Sequence, residues 1–228
     1  MRNLFSLDSK LMQGLTLLGD FVILNILFLV FCLPVFTIGA AKTALYRAMF
    51  DLMDDRGNLY KRFFRIFVSE FKNAAPLYLL QIAVQALLCW ELLIVFGNEI
   101  PLRVPMLFAL LLLFLLSGAL FSNVPVQLAL FNATRKEYLK NAVYILMTEL
   151  IPCALAGLMD LFPLLLFLYN PGYFGVLGPL WLTLYFSVTT NLSARLFRKP
   201  FAQYLRAYEK EQDSPAADGQ DGQEDSFH

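Results

Sequence analysis

Along this chain the apolar residues fall in runs of about 20, the length a helix needs to cross roughly 30 Å of hydrocarbon, and the charged residues gather between the runs. Five runs predict five membrane-spanning helices, near residues 15–36, 74–96, 105–121, 142–168 and 174–192. The first is interrupted only by Thr16, Gly19, Asp20 and Asn25, and it ends at Pro34, which supplies no backbone donor and biases the residue before it away from helix. The second carries Gln81, Gln85 and Glu91; the third contains MLFALLLLFLL, without a polar residue. The fourth holds Glu149, Pro152, Asp160 and Pro163, which predicts a kink and a break near Gly157. The fifth is rich in Leu, Tyr and Trp and gives way to Arg195, Arg198 and Lys199.

Two segments between the first and second runs are amphipathic. In one, Ala40, Ala41, Ala44, Leu45, Ala48, Met49 and Leu52 recur at helical spacing opposite Lys42, Thr43, Arg47 and Asp51. In the other, Phe63, Phe64, Phe67, Val68 and Phe71 recur opposite Arg62, Arg65, Ser69 and Lys72. Such faces suit helices lying in the cytoplasmic interface of a membrane, and Asp54 to Asn58 forms the breaker between them. The fold expected is therefore all-α: a polytopic transmembrane helix bundle of about five spans plus two cytoplasmic interfacial helices. It forms a single domain over 1–212, followed by a disordered acidic tail over 213–228.

Composition strengthens the membrane assignment, since 58% of the residues are hydrophobic and 16% charged, too apolar for an ordinary soluble domain. The formal net charge of zero hides an asymmetry: the last sixteen residues hold five acids and no Lys or Arg, leaving 18 bases against 13 acids in the body. Residues 1–14 lack the short apolar core and small-residue cleavage site of a signal peptide. Seven bases lie between the first two spans (Lys42, Arg47, Arg56, Lys61, Arg62, Arg65 and Lys72), which assigns that stretch to the cytoplasm. The alternation that follows puts the C-terminus inside and the N-terminus outside, against the preference of Arg2 and Lys10. A sixth crossing through 37–53 would relieve the conflict, but would place Lys42 and Arg47 near mid-membrane at about 2.5–3.5 kcal/mol each. Five spans are therefore expected.

The chemistry available is narrow. The one histidine, His228, ends the polar tail, and Cys32, Cys89 and Cys153 each lie alone in an apolar run, so no catalytic triad, thiolate metal site or disulfide framework is expected. A phosphate loop and an HExxH motif are missing as well. Neither an enzyme, a metal, a cofactor nor nucleic-acid binding is expected. The intramembrane polar residues Asp20, Asn25, Gln81, Gln85, Glu149 and Asp160 are the candidates for interhelical hydrogen bonds or for a substrate path. Pro34, Thr37, Gly39, Lys42, Thr43 and Tyr46 form a corner in which small residues let helices approach or in which a helix break exposes backbone to a polar ligand. Arg62, Arg65, Phe67, Phe71 and Lys72 offer a surface to lipid or to a cytoplasmic partner.

The stretch LPVFTIGAAKTALY, Leu33 to Tyr46, resembles the hallmark of the YesL-like family of bacterial multispan membrane proteins, a family of unknown function. The LFSLDSKLM start, Asp20 and Asn25 in the first span, and FFRIFVSEFKNAAPLYLL entering the second support the resemblance, which is close over Asn3 to Leu80. It implies a multi-pass protein of the bacterial cytoplasmic membrane, encoded beside carbohydrate ABC importers. The expected function is then that of an accessory or assembly factor for carbohydrate uptake, with importer subunits and the lipid bilayer as partners. The alternative is a small-molecule transporter or permease acting on its own.

Overall fold

The computed structural model describes residues 2–54, 57–98 and 101–212; the acidic tail expected over 213–228 lies outside the described residues. The elements are α1 (Arg2–Phe31), a 3₁₀ turn (Val35–Thr37), α2 (Ile38–Met53), α3 (Leu59–Gly97), α4 (Arg103–Ser122), α5 (Val124–Leu130), α6 (Arg135–Thr148), α7 (Leu150–Tyr169), α8 (Pro171–Leu180), a π-helical turn (Trp181–Tyr185) and α9 (Phe186–Gln212). The described residues are helical with short connections, as the apolar pattern requires. Gly14–Phe31, Leu59–Gly97, Arg103–Leu130 and Leu150–Phe167 are each long and apolar enough to cross a membrane. The fifth expected span falls on the run from α8 into α9, which the π-helical turn divides.

The amphipathic segments are arranged differently from the expectation. Eleven of the sixteen residues of α2 are buried, charged Lys42 and Asp51 among them, so α2 is a central helix and not one lying on a surface. Its small residues explain this: Ala40, Ala41, Ala44 and Ala48 are wholly buried. At Gly39 an added Cβ would stand 2.6 Å from the Tyr78 Cβ and 2.8 Å from the Ala74 carbonyl oxygen. Only glycine lets α2 and α3 approach so closely. The second segment is not a separate helix but the first half of α3, whose 39 residues reach about 58 Å, roughly twice the hydrocarbon thickness.

Three cross-links mark one end of the bundle. The Tyr60 hydroxyl donates to Asp20 (2.6 Å), Arg62 donates to Asp51 (2.6 Å) and Arg198 donates to Asp54 (2.8 Å). Because Gly39 packs further along α3, at Ala74 and Tyr78, α2 runs antiparallel to α3 and back toward this end. Helix α1 runs away from it, so α1 and α2 form a hairpin. Asp20 of α1 therefore lies at the end marked by Arg198 of α9. Helix α2 carries the Lys42 and Arg47 charges, which would be costly alone in an apolar setting, and each has a partner. Arg47 donates to the Ala129 carbonyl (3.1 Å) and lies 3.6 Å from Asp51.

The break in the fourth apolar run falls at Glu149, between α6 and α7, and not at Gly157. Glu149 has φ −124° and ψ 53°, outside the helical range. Gly157 lies within α7, where an added Cβ would meet the Ala119 nitrogen at 2.6 Å, so its role is the α4–α7 contact.

Candidate functional site

A cavity of about 480 Å³ opens between the end of α1, the start of α2, the middle of α3, α7, and the junction of the π-helical turn with α9. Its wall is mostly apolar. Four polar residues singled out from the sequence meet there: Lys42, Gln81, Gln85 and Asp160. The Lys42 ammonium forms an ion pair with the Asp160 carboxylate, and the two side chains retain 9% and 19% exposure. An isolated charge in so apolar a setting would be costly, whereas each member of the pair has the other as its partner.

On α3 the sequence aligns Tyr78, Gln81, Gln85 and Cys89 at intervals of three and four, which places them on one helix face toward the cavity. Gln85 is turned partly toward α4, where its amide nitrogen donates to the Ser117 hydroxyl (3.0 Å) and the Phe114 carbonyl (3.4 Å). Its amide oxygen is buried without a hydrogen-bond partner. Behind it α4 and α7 meet at Gly118, where an added Cβ would touch the end of the Leu161 side chain.

The far wall is the π-helical turn. A change from i+4 to i+5 bonding leaves main-chain groups at its edges without helical partners, and Asn25 of α1 meets them. Its amide nitrogen donates to the carbonyls of Trp181 (3.1 Å) and Leu182 (2.8 Å), and its amide oxygen accepts from the Ser187 N–H (3.1 Å). Asn25 is fully buried, so its role is to hold the turn in place. The turn in place sets Tyr185 against α7, where its hydroxyl donates to the Met159 carbonyl (2.8 Å), next to Asp160.

The remaining candidates lie elsewhere. Pro34 is exposed at the α1–α2 turn, and the Thr37 hydroxyl donates to the Phe31 and Pro34 carbonyls, the latter at 2.6 Å. Thr43 donates to the Gly39 carbonyl (2.9 Å), and Tyr46 is wholly buried in the core. The corner thus divides its work: Gly39 and Thr43 serve packing, and Lys42 reaches the cavity. Asp20 is held by Tyr60, and Glu149 occupies the α6–α7 break. Of the proposed surface, Arg62 is committed to Asp51, Phe67 packs on Phe31 (ring centroids 4.6 Å apart) and Phe71 on Phe36, while Arg65 and Lys72 are exposed.

Sequence inspection passed over Tyr78, Tyr185 and Thr190, which line the cavity. The three-and-four spacing from Tyr78 to Cys89 is a signal for the first; the other two, Tyr185 at the end of the π-helical turn and Thr190 in α9, are placed by a turn that leaves no residue pattern. It also passed over a filled polar cluster at the α4–α5 junction. There Ser122 donates to the Cys153 carbonyl (3.1 Å), Asn123 to the Ala142 carbonyl (3.3 Å), and Gln127 to the Asn123 amide oxygen (2.7 Å). Among the described residues no group of three or more His, Cys, Asp or Glu side chains gathers to hold a metal ion.

No curated protein and no solved structure matches the chain. A family model described as "Protein of unknown function, DUF624" matches residues 21–92. The matched segment runs from α1 through α2 into α3; it carries Asn25, Lys42, Gln81 and Gln85 but not Asp160. This part of the chain is similar to that family of unknown function.

Proposed function

We propose that the protein is a small-solute transporter of the membrane, with its binding site in the cavity between α1, α2, α3, α7 and α9. The observation that carries the reading is the Lys42–Asp160 pair facing a cavity of about 480 Å³ with a mostly apolar wall. That volume falls within the range of small-molecule sites, and an apolar wall with a few converging polar groups is their usual make-up. Ionisable residues buried in membrane helices mark solute or ion paths often enough to make this the default hypothesis. The setting we assign is a bacterial cytoplasmic membrane in a YesL-like protein, with the Asp54–Tyr60 end and α9 facing the cytoplasm. The residue 21–92 match and the bases near that end support it.

The test is flux. Purified full-length chain in lipid vesicles should release a panel of entrapped labelled sugars and amino acids faster than empty vesicles, and Ala86→Trp, which puts a bulky ring on the cavity wall, should reduce the difference. Vesicles with wild-type protein as tight as empty ones toward the whole panel would remove the transporter reading.

A second reading, an accessory to a carbohydrate importer, draws on the length of α3. Its first half extends beyond a hydrocarbon layer's thickness and leaves Arg65 and Lys72 exposed, a surface suited to an acidic partner. Stoichiometric importer subunits in an affinity purification from native membranes, lost on Arg65→Glu/Lys72→Glu, would favour it over the first.

A further inference from the structure

We propose that the cavity selects solutes of no net charge, and that the mutual neutralisation of Lys42 and Asp160 sets this selection. The inference rests on the cavity being a solute site and adds the class of solute. Of the nineteen residues that line it, Lys42 and Asp160 are the two with charged side chains, and they form an ion pair with each other. The other polar groups in the wall, on Tyr78, Gln81, Gln85, Tyr185, Thr189 and Thr190, are neutral. An anion or a cation entering such a wall finds a countercharge only by opening the pair, which strands the abandoned partner in a mostly apolar enclosure. An uncharged hydroxylated molecule leaves the pair intact. A zwitterion can insert between the two and re-satisfy both, because its carboxylate replaces Asp160 for Lys42 while its ammonium replaces Lys42 for Asp160. In each case the total charge of the occupied cavity stays at zero.

The protein carries its own reporters, since Cys32 and Cys89 line the cavity on α1's end and on α3 while Cys153 is fully buried. Full-length protein in lipid vesicles is exposed to three thiol reagents of one chemistry: neutral methyl methanethiosulfonate, its anionic sulfonatoethyl analogue and its cationic trimethylammonioethyl analogue. Labelling of Cys32 and Cys89 is followed by mass spectrometry, each rate being normalised to the same reagent on a free thiol.

In the wild type the neutral reagent should label and both charged reagents should lag. A unit charge left uncompensated about 10 Å away, at an effective dielectric of about 20, changes the local concentration of a charged probe roughly tenfold. Asp160→Asn should therefore raise the relative rate of the anionic reagent about tenfold, and Lys42→Gln that of the cationic one. The charge-swapped Lys42→Asp/Asp160→Lys should restore the wild-type pattern, and it keeps the test decisive if a single variant fails to fold.

Charged reagents that react as fast as the neutral one in the wild type overturn the inference. So do charged-reagent rates that stay unchanged in both single variants, or a folded swap variant that admits ions. Labelling by the neutral reagent without any charge preference overturns the inference alone. Cysteines that no reagent reaches overturn the solute site and the inference together.

Discussion

Helix α7 meets buried polar side chains in two places. Near its start, the Cys153 carbonyl accepts from Ser122, and Asn123 and Gln127 close the rest of the cluster with hydrogen bonds to each other and to α6. Two turns later, Asp160 faces Lys42 across the rim of a cavity of about 480 Å³. The first group fills its own volume; the second leaves a space. In an apolar bundle a polar residue is retained either because protein groups satisfy it or because something else is to be admitted beside it. The contrast locates the site better than polarity does, since both clusters are equally out of place in a hydrophobic helix.

The comparison breaks most severely if one partner of the ion pair is removed. Lys42→Met leaves Asp160 largely buried and alone, so thermal unfolding in detergent should show a loss of about 3–5 kcal/mol, most of it recovered in Lys42→Met/Asp160→Leu. Equal stability of the single and double variants would mean that the pair is not closed in the folded protein.

Next in size is the filled cluster. Asn123→Leu strands the Gln127 amide and removes the donor to Ala142, for a loss of about 1–3 kcal/mol in the same assay. It should leave the chemistry of Cys89 in the cavity unchanged. In the cavity itself, Gln81→Leu should cost less than about 1 kcal/mol, because its amide borders open space, yet it should weaken solute flux at least several-fold. A Gln81→Leu variant that lost stability but kept its flux would reverse the roles assigned to the two places.

The smallest effect concerns α6, which leads into α7 through the Glu149 break. Thr134 and Glu137 form a capping box: the Thr134 N–H donates to the Glu137 carboxylate (2.7 Å), and the Glu137 N–H donates to the Thr134 hydroxyl (3.4 Å). The first of these bonds, followed by the Thr134 hydroxyl, holds the Glu137 carboxyl below its ordinary value. The folded-state pKa is thus depressed, so the cap's contribution is present above the unfolded-state value and lost as pH falls through the folded one. Amide exchange in the first turn of α6 should therefore quicken, relative to the pH-corrected intrinsic rate, as pH falls from 6 to 3. Glu137→Gln should remove most of that dependence.

The apolar runs are legible in the sequence because a hydrocarbon layer imposes a length, and α3, α4 and α7 carry it in plain view. The placement of α2 is not. Its alternation of alanines with Lys42, Arg47 and Asp51 is what a helix on a membrane surface would also show. The difference lies in partners on other helices: Asp160 on α7, the Ala129 carbonyl on α5 and Arg62 on α3. A pattern along one helix carries no record of them. Gln81 and Gln85 are visible as a polar stripe, whereas the break at Glu149 is masked by Pro152, Gly157 and Pro163, each a stronger local breaker than the residue where the chain turns. The π-helical turn has no compositional mark, and its one clue, Asn25, is a lone amide in a run of hydrophobics.

That amide has a consequence for how the molecule is built. Asn25 lies in α1, well ahead of its partners in the chain, and the Trp181 and Leu182 carbonyls to which it donates are separated from it by 156 and 157 positions. Until the π-helical turn and α9 follow, α1 carries an amide with three unmet bonds in a greasy segment, a natural handle for insertion machinery or a chaperone. The wall of the cavity can close only after residues 181–187 have been made, so a chain arrested before Trp181 should remain an open, protease-sensitive form, whatever the stability of its individual helices.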